Sequence, residues 1–265
     1  MTCLKAGTLG ALAAILLCSG RQGSAQNGQQ PDDFLQRVEK GSSESLQRFS
    51  EVKCAEAVHQ EKLSPDGKVE RVSDSRFDYL AIFSDSGGEL TLNESRLAIG
   101  EAKPDKQHTP LLLTNGFAAL FLVFHPYYAS SFRFEKMGEE TEQGHTLMKV
   151  AFHPVRGSRS PAVLALRGRE YPLELTGSAW IDVETGAVTR IVADVGNSLE
   201  DVGVKSLRSE VDYDAVAFRD PPASHWFPKR AVVEVETPRQ HWRNTHVFTN
   251  YQRFSVSTDE KVITK

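Results

Sequence analysis

The sequence predicts a mainly β protein: a strongly curved antiparallel half-barrel of about eleven strands, with an N-terminal helix and an inserted apolar helix. Three observations predict this fold class. Strand-like runs with period-two alternation follow one another from about residue 52 to residue 256, short turns join nearly all of them, and no βα alternation repeats. Short connections make successive strands antiparallel neighbours, which is a meander.

The N-terminus is typical of a secretory signal peptide. Lys5 precedes the apolar run Leu9–Leu17, and Gly23–Ala25 supplies the small residues of a cleavage site before Gln26. The apolar run is too short to span a bilayer. A buried N-terminal helix is the alternative interpretation.

Acylation at Cys18 is a second alternative, although a lipoprotein signal has a small residue where Leu17 stands. We expect residues 1–25 to be removed on export, residues 26–256 to form a single domain and residues 257–265 to form a tail. The protein is therefore predicted to lie in the periplasm or to be otherwise exported.

Composition excludes some classes of protein. The chain of 265 residues is 40% hydrophobic and 25% charged, as in a packed globular protein. Without Lys5 and Arg21, 29 basic residues stand against 35 acidic ones, a net charge of −6, which does not attract nucleic acid. No later stretch reaches membrane-spanning length without charges. Cys54 is the only cysteine after residue 25, so we expect a buried thiol and no internal disulfide.

The first element predicted in the mature chain is a helix from Asp32 to about Val52. Its apolar residues recur at helical spacing on one face, so it needs a surface to lie on. These residues are Phe34, Leu35, Val38, Leu46 and Phe49. We expect a break or kink near Gly41–Ser43.

The strands follow. Turn signals such as Ser64-Pro65-Asp66-Gly67 and Glu184-Thr185-Gly186 separate them. The predicted strands cover about residues 52–63, 68–83, 89–99, 131–137, 145–154, 162–170, 173–183, 187–196, 203–216, 227–237 and 241–256.

A predicted helix is inserted in this series of strands, between the third strand and the fourth. Thr109-Pro110 is a good helix start, and Pro126 stops the helix after His125. The helix is apolar on nearly all sides, so it should be buried on more than one face, and at about 24 Å it is too short to cross a membrane. A large sheet curls, and the concave face of a half-open curled sheet needs such a cover.

One hairpin carries a family resemblance. The segment Gly177–Gly186, containing Trp180-Ile181-Asp182, and its continuation Ala187–Ile191 look like the Trp-x-Asp hairpin of the periplasmic lipoprotein carriers. The order of elements over residues 32–256 also resembles this LolA/LolB-like superfamily, which includes the sensor domains of RseB-type regulators.

The resemblance implies helices acting as a lid over a cavity of the half-barrel. The cavity would hold a hydrophobic small molecule or a lipoprotein acyl chain, without catalysis and without a cofactor. The alternative is an RseB-like sensor or scaffold that binds an envelope protein partner through the same groove. The candidate ligand-binding residues are Phe77, Tyr79, Phe83, Phe117, Leu120, Phe121, Phe124 and Trp180. Ordinary sheet packing for the strand aromatics, and a core plug for the helix, are the alternatives.

Motifs for catalysis or metal binding do not occur. There is no Gly-x-Ser-x-Gly elbow and no His-Glu-x-x-His. A metal site would need His225, His241 and His246 to converge from adjacent strands. Several strand carboxylates are interpreted as solvated charges rather than as an acid/base pair: Asp78, Asp182, Glu184, Asp212 and Asp214. The basic loop Arg156–Ser160 is interpreted as a solvated hairpin end, with contact to lipid headgroups or a partner as the alternative.

Overall fold

The computed structural model describes residues 32–86, 89–99, 116–142, 144–166, 169–196, 199–219 and 222–254. The predicted signal peptide, the C-terminal tail and the Thr109-Pro110 helix start lie outside these residues. Within them, no helix is long and apolar enough to cross a membrane.

Helices are few and strands are many. The helical elements are α1 (Asp33–Phe49), a 3₁₀ helix (Phe117–Phe124), α2 (Pro126–Ala129) and a short 3₁₀ turn (Glu200–Val202). The strands are β1 (Val52–Leu63), β2 (Val69–Ser86), β3 (Glu89–Ala98), β4 (Phe132–Glu142), β5 (His145–Pro154), β6 (Val163–Leu166), β7 (Arg169–Pro172), β8 (Leu175–Asp182), β9 (Val188–Val195), β10 (Ser206–Arg219), β11 (Pro222–Glu236) and β12 (His241–Arg253).

Ten strands form one antiparallel sheet in the order β3-β2-β1-β12-β11-β10-β9-β8-β5-β4. The predicted fold class is confirmed, because the sheet is large, antiparallel and not closed into a barrel. Chain order is broken where β1 pairs with β12, for example at Val58 opposite His246. This pairing joins the first three strands to the last one, and it leaves β3 and β4 as the two edges.

The single strand predicted over residues 162–170 is wrong. Here β6 and β7 form a separate two-stranded hairpin, with Val163 opposite Pro172 and Leu166 opposite Arg169. The two four-residue strands pair with each other, and neither pairs with a strand of the large sheet.

The predicted break in α1 is also wrong. Asp32 caps the helix by accepting a hydrogen bond of 3.1 Å from the Phe34 amide, and the helix then runs unbroken to Phe49. Gly41 does not kink the helix but allows it to pack closely against a neighbouring turn. A Cβ at this position would lie 2.7 Å from the carbonyl oxygen of Gly186, so α1 rests directly on the turn between β8 and β9.

The inserted helix is 3₁₀ rather than α over its described part. The hydroxyl of Tyr213 lies at a kink of this helix at Ala119, where it accepts from the Phe121 amide at 3.3 Å and donates to the Ala118 carbonyl at 3.2 Å. It thus inserts where a direct backbone hydrogen bond would otherwise run. The prediction of burial on more than one face is confirmed, because every residue from Ala118 to Phe124 is buried.

Candidate functional site

One face of the large sheet is covered by α1 and the 3₁₀ helix, and we call it the helix-covered face. Alternate residues of each strand point to it, as Val52, Cys54 and Val58 do on β1. The helix α1 contacts the 3₁₀ helix, β9 and β11. The core of the protein therefore lies between this face and its helices.

The candidate residues of the 3₁₀ helix lie inside this core. Leu120, Phe121 and Phe124 are buried, and Phe117 is half-buried against the same cluster. The Phe124 ring stacks on Phe134, with 4.9 Å between ring centroids. These contacts connect the 3₁₀ helix to β4.

The candidate residues of β2 share the same face at alternating positions. Tyr79 is buried, and Phe77 and Phe83 are half-buried. The ring of Phe49 on α1 lies 6.2 Å from that of Tyr79 and 6.0 Å from that of Phe83. A second aromatic cluster thus joins α1 to β2.

Trp180, the eighth candidate residue, does not lie on the helix-covered face with the other seven. It lies on β8 between Ala179 and Ile181, which are both buried in the core, so its side chain projects from the opposite face. There the indole is flanked by two cations, Lys149 and Arg190, each 4.9 Å from the ring.

A buried ionic cluster on the helix-covered face was not predicted from the sequence. The Glu56 carboxylate on β1 receives hydrogen bonds from Arg96 on β3 at 2.6 and 3.0 Å. It also bonds Nδ1 of His246 on β12 at 2.8 Å. Arg96 lies 2.9 Å from Glu94, which accepts from the Gly116 amide at 2.6 Å. The available signal was strand parity, because Glu56 stands between inward-facing Cys54 and Val58.

The pKa values of the two carboxylates in this cluster shift in opposite directions. Burial by itself would raise the pKa of Glu56, but the hydrogen bonds from His246 and Arg96 outweigh it and hold the pKa below its usual range. Burial raises the pKa of Glu94 above its usual range, although Arg96 and the Gly116 amide oppose that rise. Glu56 is therefore the principal counter-charge of Arg96.

Cys54 behaves as predicted. It is buried, and its burial raises the pKa of the thiol to about 12. At neutral pH this thiol is therefore protonated and unreactive.

A cleft of about 340 Å³ opens where β5 approaches the hairpin of β10 and β11. His145 lies at this cleft, with its ring 5.7 Å from that of Trp226 and its Nδ1 2.7 Å from Asp182. Asp182 is only 3% exposed and also accepts from the amide and the hydroxyl of Thr185. The interpretation of Asp182 as a solvated charge is wrong, because it organises the turn after β8.

A histidine held by a buried aspartate can act as a general base. Within the described ranges, however, no hydroxyl or thiol forms a hydrogen bond with His145. Other charges of the cleft pair with one another, as Lys229 does with Asp214 at 2.9 Å. The cleft therefore contains a network of ion pairs.

The three histidines considered for a metal site have separate partners. His246 bonds Glu56, His241 bonds Glu234 at 2.6 Å, and Nε2 of His225 lies 3.2 Å from Arg253. In the part of the chain that the structure describes, no group of three or more His, Cys, Asp or Glu side chains could hold a metal ion.

Fold and site together define an open antiparallel sheet with an apolar, helix-covered face and a buried ionic cluster. No family model and no curated protein matches the chain.

Solved structures do match. A DUF1329 family protein from Desulfovibrio piger is 13% identical, over 86% of this chain and 96% of the other, with a TM-score of 0.41. A LolA superfamily protein from Nitrosomonas europaea is 10% identical, over 84% and 94%, with a TM-score of 0.40. An outer membrane lipoprotein-sorting protein domain from Vibrio parahaemolyticus is 8% identical, over 85% and 95%, with a TM-score of 0.44.

The last two names belong to the group that the sequence resembles. With identities of 8–13% and TM-scores of 0.40–0.44, these likenesses by themselves assign no ligand and no activity.

Proposed function

We propose that this protein is an exported, non-catalytic envelope protein that binds an apolar ligand, a lipid or a lipoprotein acyl chain, on its helix-covered face. One observation carries the proposal. The 3₁₀ helix Phe117–Phe124 is entirely apolar, lies in the chain between the edge strands β3 and β4, and covers the aromatic face of a sheet that is not closed. Clefts lined by apolar and aromatic side chains are the usual sites for such ligands.

Binding of a ligand on this face requires displacement of the cover, which the Tyr213 hydroxyl and the Glu94 carboxylate also hold in place. The hydrogen bonding of the cover is of the 3₁₀ type, which is weaker than α-helical bonding, and Gly116 provides no side-chain cap. Displacement would uncover Leu120, Phe121 and Phe124, which costs about 5–9 kcal/mol at the usual 1.5–3 kcal/mol per buried side chain. A ligand must supply a similar apolar contact.

A long acyl chain meets this requirement. Burial contributes about 0.8 kcal/mol per methylene, so a chain of about ten methylenes contributes about 8 kcal/mol. We therefore expect binding to strengthen with chain length and to be weak for short fatty acids.

The test uses protein purified after export. Native mass spectrometry should find co-purified lipid, and a fluorescently labelled long-chain fatty acid should bind with saturation. Phe83→Ala and Phe117→Ala, at half-buried positions beside the core, should each weaken binding of the fatty acid about tenfold, equivalent to 1.4 kcal/mol. Trp180→Ala on the opposite face is the matched control and should bind as the wild type does.

Two results would overturn the proposal. The first is the absence of both co-purified lipid and probe binding. The second is equal weakening by all three variants. Capture of an envelope protein that persists in Phe83→Ala and Phe117→Ala, without any lipid, would favour the RseB-like alternative.

A further inference from the structure

The segment around the loop after β5 carries an excess of positive charge, whereas the chain as a whole carries an excess of negative charge. Acidic residues outnumber basic ones overall, 35 to 31, yet no Asp or Glu occurs from Gln143 to Arg169. Arg156 and Arg159 are exposed on the loop that this segment forms between β5 and β6. A local positive surface therefore stands on a protein of negative net charge.

The loop is held in place against α2. The Val155 amide and the Ser158 hydroxyl both donate to the Ser131 carbonyl, at 2.8 and 3.1 Å. The Arg159 guanidinium lies over the ring of Tyr127, 4.7 Å from its centroid. The position of the positive charges is thus set by the fold.

Apolar side chains are exposed beside these charges. Val155, which follows β5, is 38% exposed, and Val163, the first residue of β6, is 46% exposed. Arg133 on β4, two residues after Ser131, is exposed as well. We call Tyr127, Val155, Arg156, Arg159 and Val163 the arginine surface.

The arginines of this surface differ from those of the large sheet. Arg190, Arg208 and Arg243 each form ion pairs with carboxylates. Within the described ranges, Arg156 and Arg159 form none, and the contact of Arg159 is with an aromatic ring. Their charge is therefore available to an anionic partner.

We propose that the arginine surface docks this protein onto an anionic lipid bilayer. Two features favour a bilayer over other anions. Exposed valines on either side of the two arginines in the chain match the boundary between headgroups and acyl chains, where arginine meets phosphate and the valines enter the apolar layer. The acidic remainder of the protein opposes association with large polyanions such as nucleic acid, whereas a local contact needs only this one surface.

The predicted contact is weak and reversible. Each arginine near an anionic surface strengthens binding about fivefold, and two together about 30-fold. Because exposed charges are screened by salt, the association should weaken steeply as ionic strength rises.

The experiment is flotation of protein purified after export with vesicles of phosphatidylcholine alone or mixed with phosphatidylglycerol. The wild type should float with the mixed vesicles at low salt and remain unbound to phosphatidylcholine alone. Arg156→Gln combined with Arg159→Gln should reduce binding to the mixed vesicles about 30-fold. Arg208→Gln combined with Arg230→Gln removes the same charge from the large sheet and should leave binding unchanged.

A second variant separates the apolar contribution. Val155→Ser combined with Val163→Ser should weaken binding to the mixed vesicles while keeping its salt dependence. Binding of the labelled fatty acid should be unchanged in all these variants, so failure of docking and failure of ligand binding are distinguishable. Equal flotation with neutral and anionic vesicles, equal loss in both arginine double variants, or no flotation at all would overturn the proposal.

Discussion

Replacement of Glu56 by glutamine tests the buried ionic cluster. Glutamine keeps the shape of the side chain but removes the charge that bonds Arg96 at 2.6 Å and His246 at 2.8 Å. Removal of one partner from a buried ion pair costs about 3–5 kcal/mol. Glu94 remains 2.9 Å from Arg96, so we expect the lower end, a loss of about 3 kcal/mol in the free energy of unfolding.

Glu94→Gln is the matched control within the same cluster. Burial raises the pKa of Glu94, so folding disfavours its charge, and a glutamine oxygen can still accept from the Gly116 amide. We expect a change of less than about 1 kcal/mol at neutral pH, although the side chain is as buried as Glu56.

The assay is urea unfolding followed by tryptophan fluorescence across a pH series. The folded pKa of Glu56 lies below its ordinary 4.5, so its contribution is fully present above pH 4.5 and is lost as the pH falls through the folded pKa. The pKa of Glu94 is instead raised in the folded protein. Ionisation of Glu94 therefore lowers the free energy of unfolding as the pH rises from 4.5 through the folded pKa. A nearly unchanged free energy of unfolding in Glu56→Gln, or a larger loss in Glu94→Gln than in Glu56→Gln, would contradict the role of Glu56 as the counter-charge of Arg96.

Three further predictions concern single contacts. Tyr213→Phe should lower the free energy of unfolding by about 1–3 kcal/mol and speed amide exchange at Phe121, and unchanged exchange would contradict the bridging role of the hydroxyl. Gly41→Ala should destabilise by about 1–3 kcal/mol in thermal unfolding despite the helix propensity of alanine, whereas exposed Gln47→Ala should not. Cys54 should resist iodoacetamide at pH 8 when folded and react in urea, as followed by intact mass; equal labelling in both states would refute its burial.

Strand positions were largely predictable from the sequence. The predicted bounds of β1 and β5, residues 52–63 and 145–154, match the structure, because alternation and turn residues are local signals. The inserted segment was predicted to be buried on more than one face for the same reason, and its described residues Ala118–Phe124 are buried. Its kink at Ala119 was not predictable, since the hydroxyl of Tyr213 that bridges Phe121 and Ala118 there lies about ninety residues away in the chain.

The candidate site was predictable in part. Seven of the eight aromatic and apolar candidates lie on the helix-covered face, because strand parity and helical spacing locate them. Trp180 was assigned by its chemical type rather than by its parity between Ala179 and Ile181, and it projects from the other face. Glu56 was overlooked because a charged residue is normally solvated, and only its partners on β3 and β12 explain its burial.

The sequence by itself determined the alternation of strands and turns, the capped amphipathic helix and the apolar insert, since each depends on residues near one another in the chain. Tertiary structure alone decided that β1 pairs with β12, that Gly41 rests on the turn at Gly186, and that Glu56, Arg96 and His246 share one buried cluster. Those contacts join residues from about forty to nearly two hundred positions apart. Their geometry depends on how the sheet curves and pairs, which no local pattern of residues encodes.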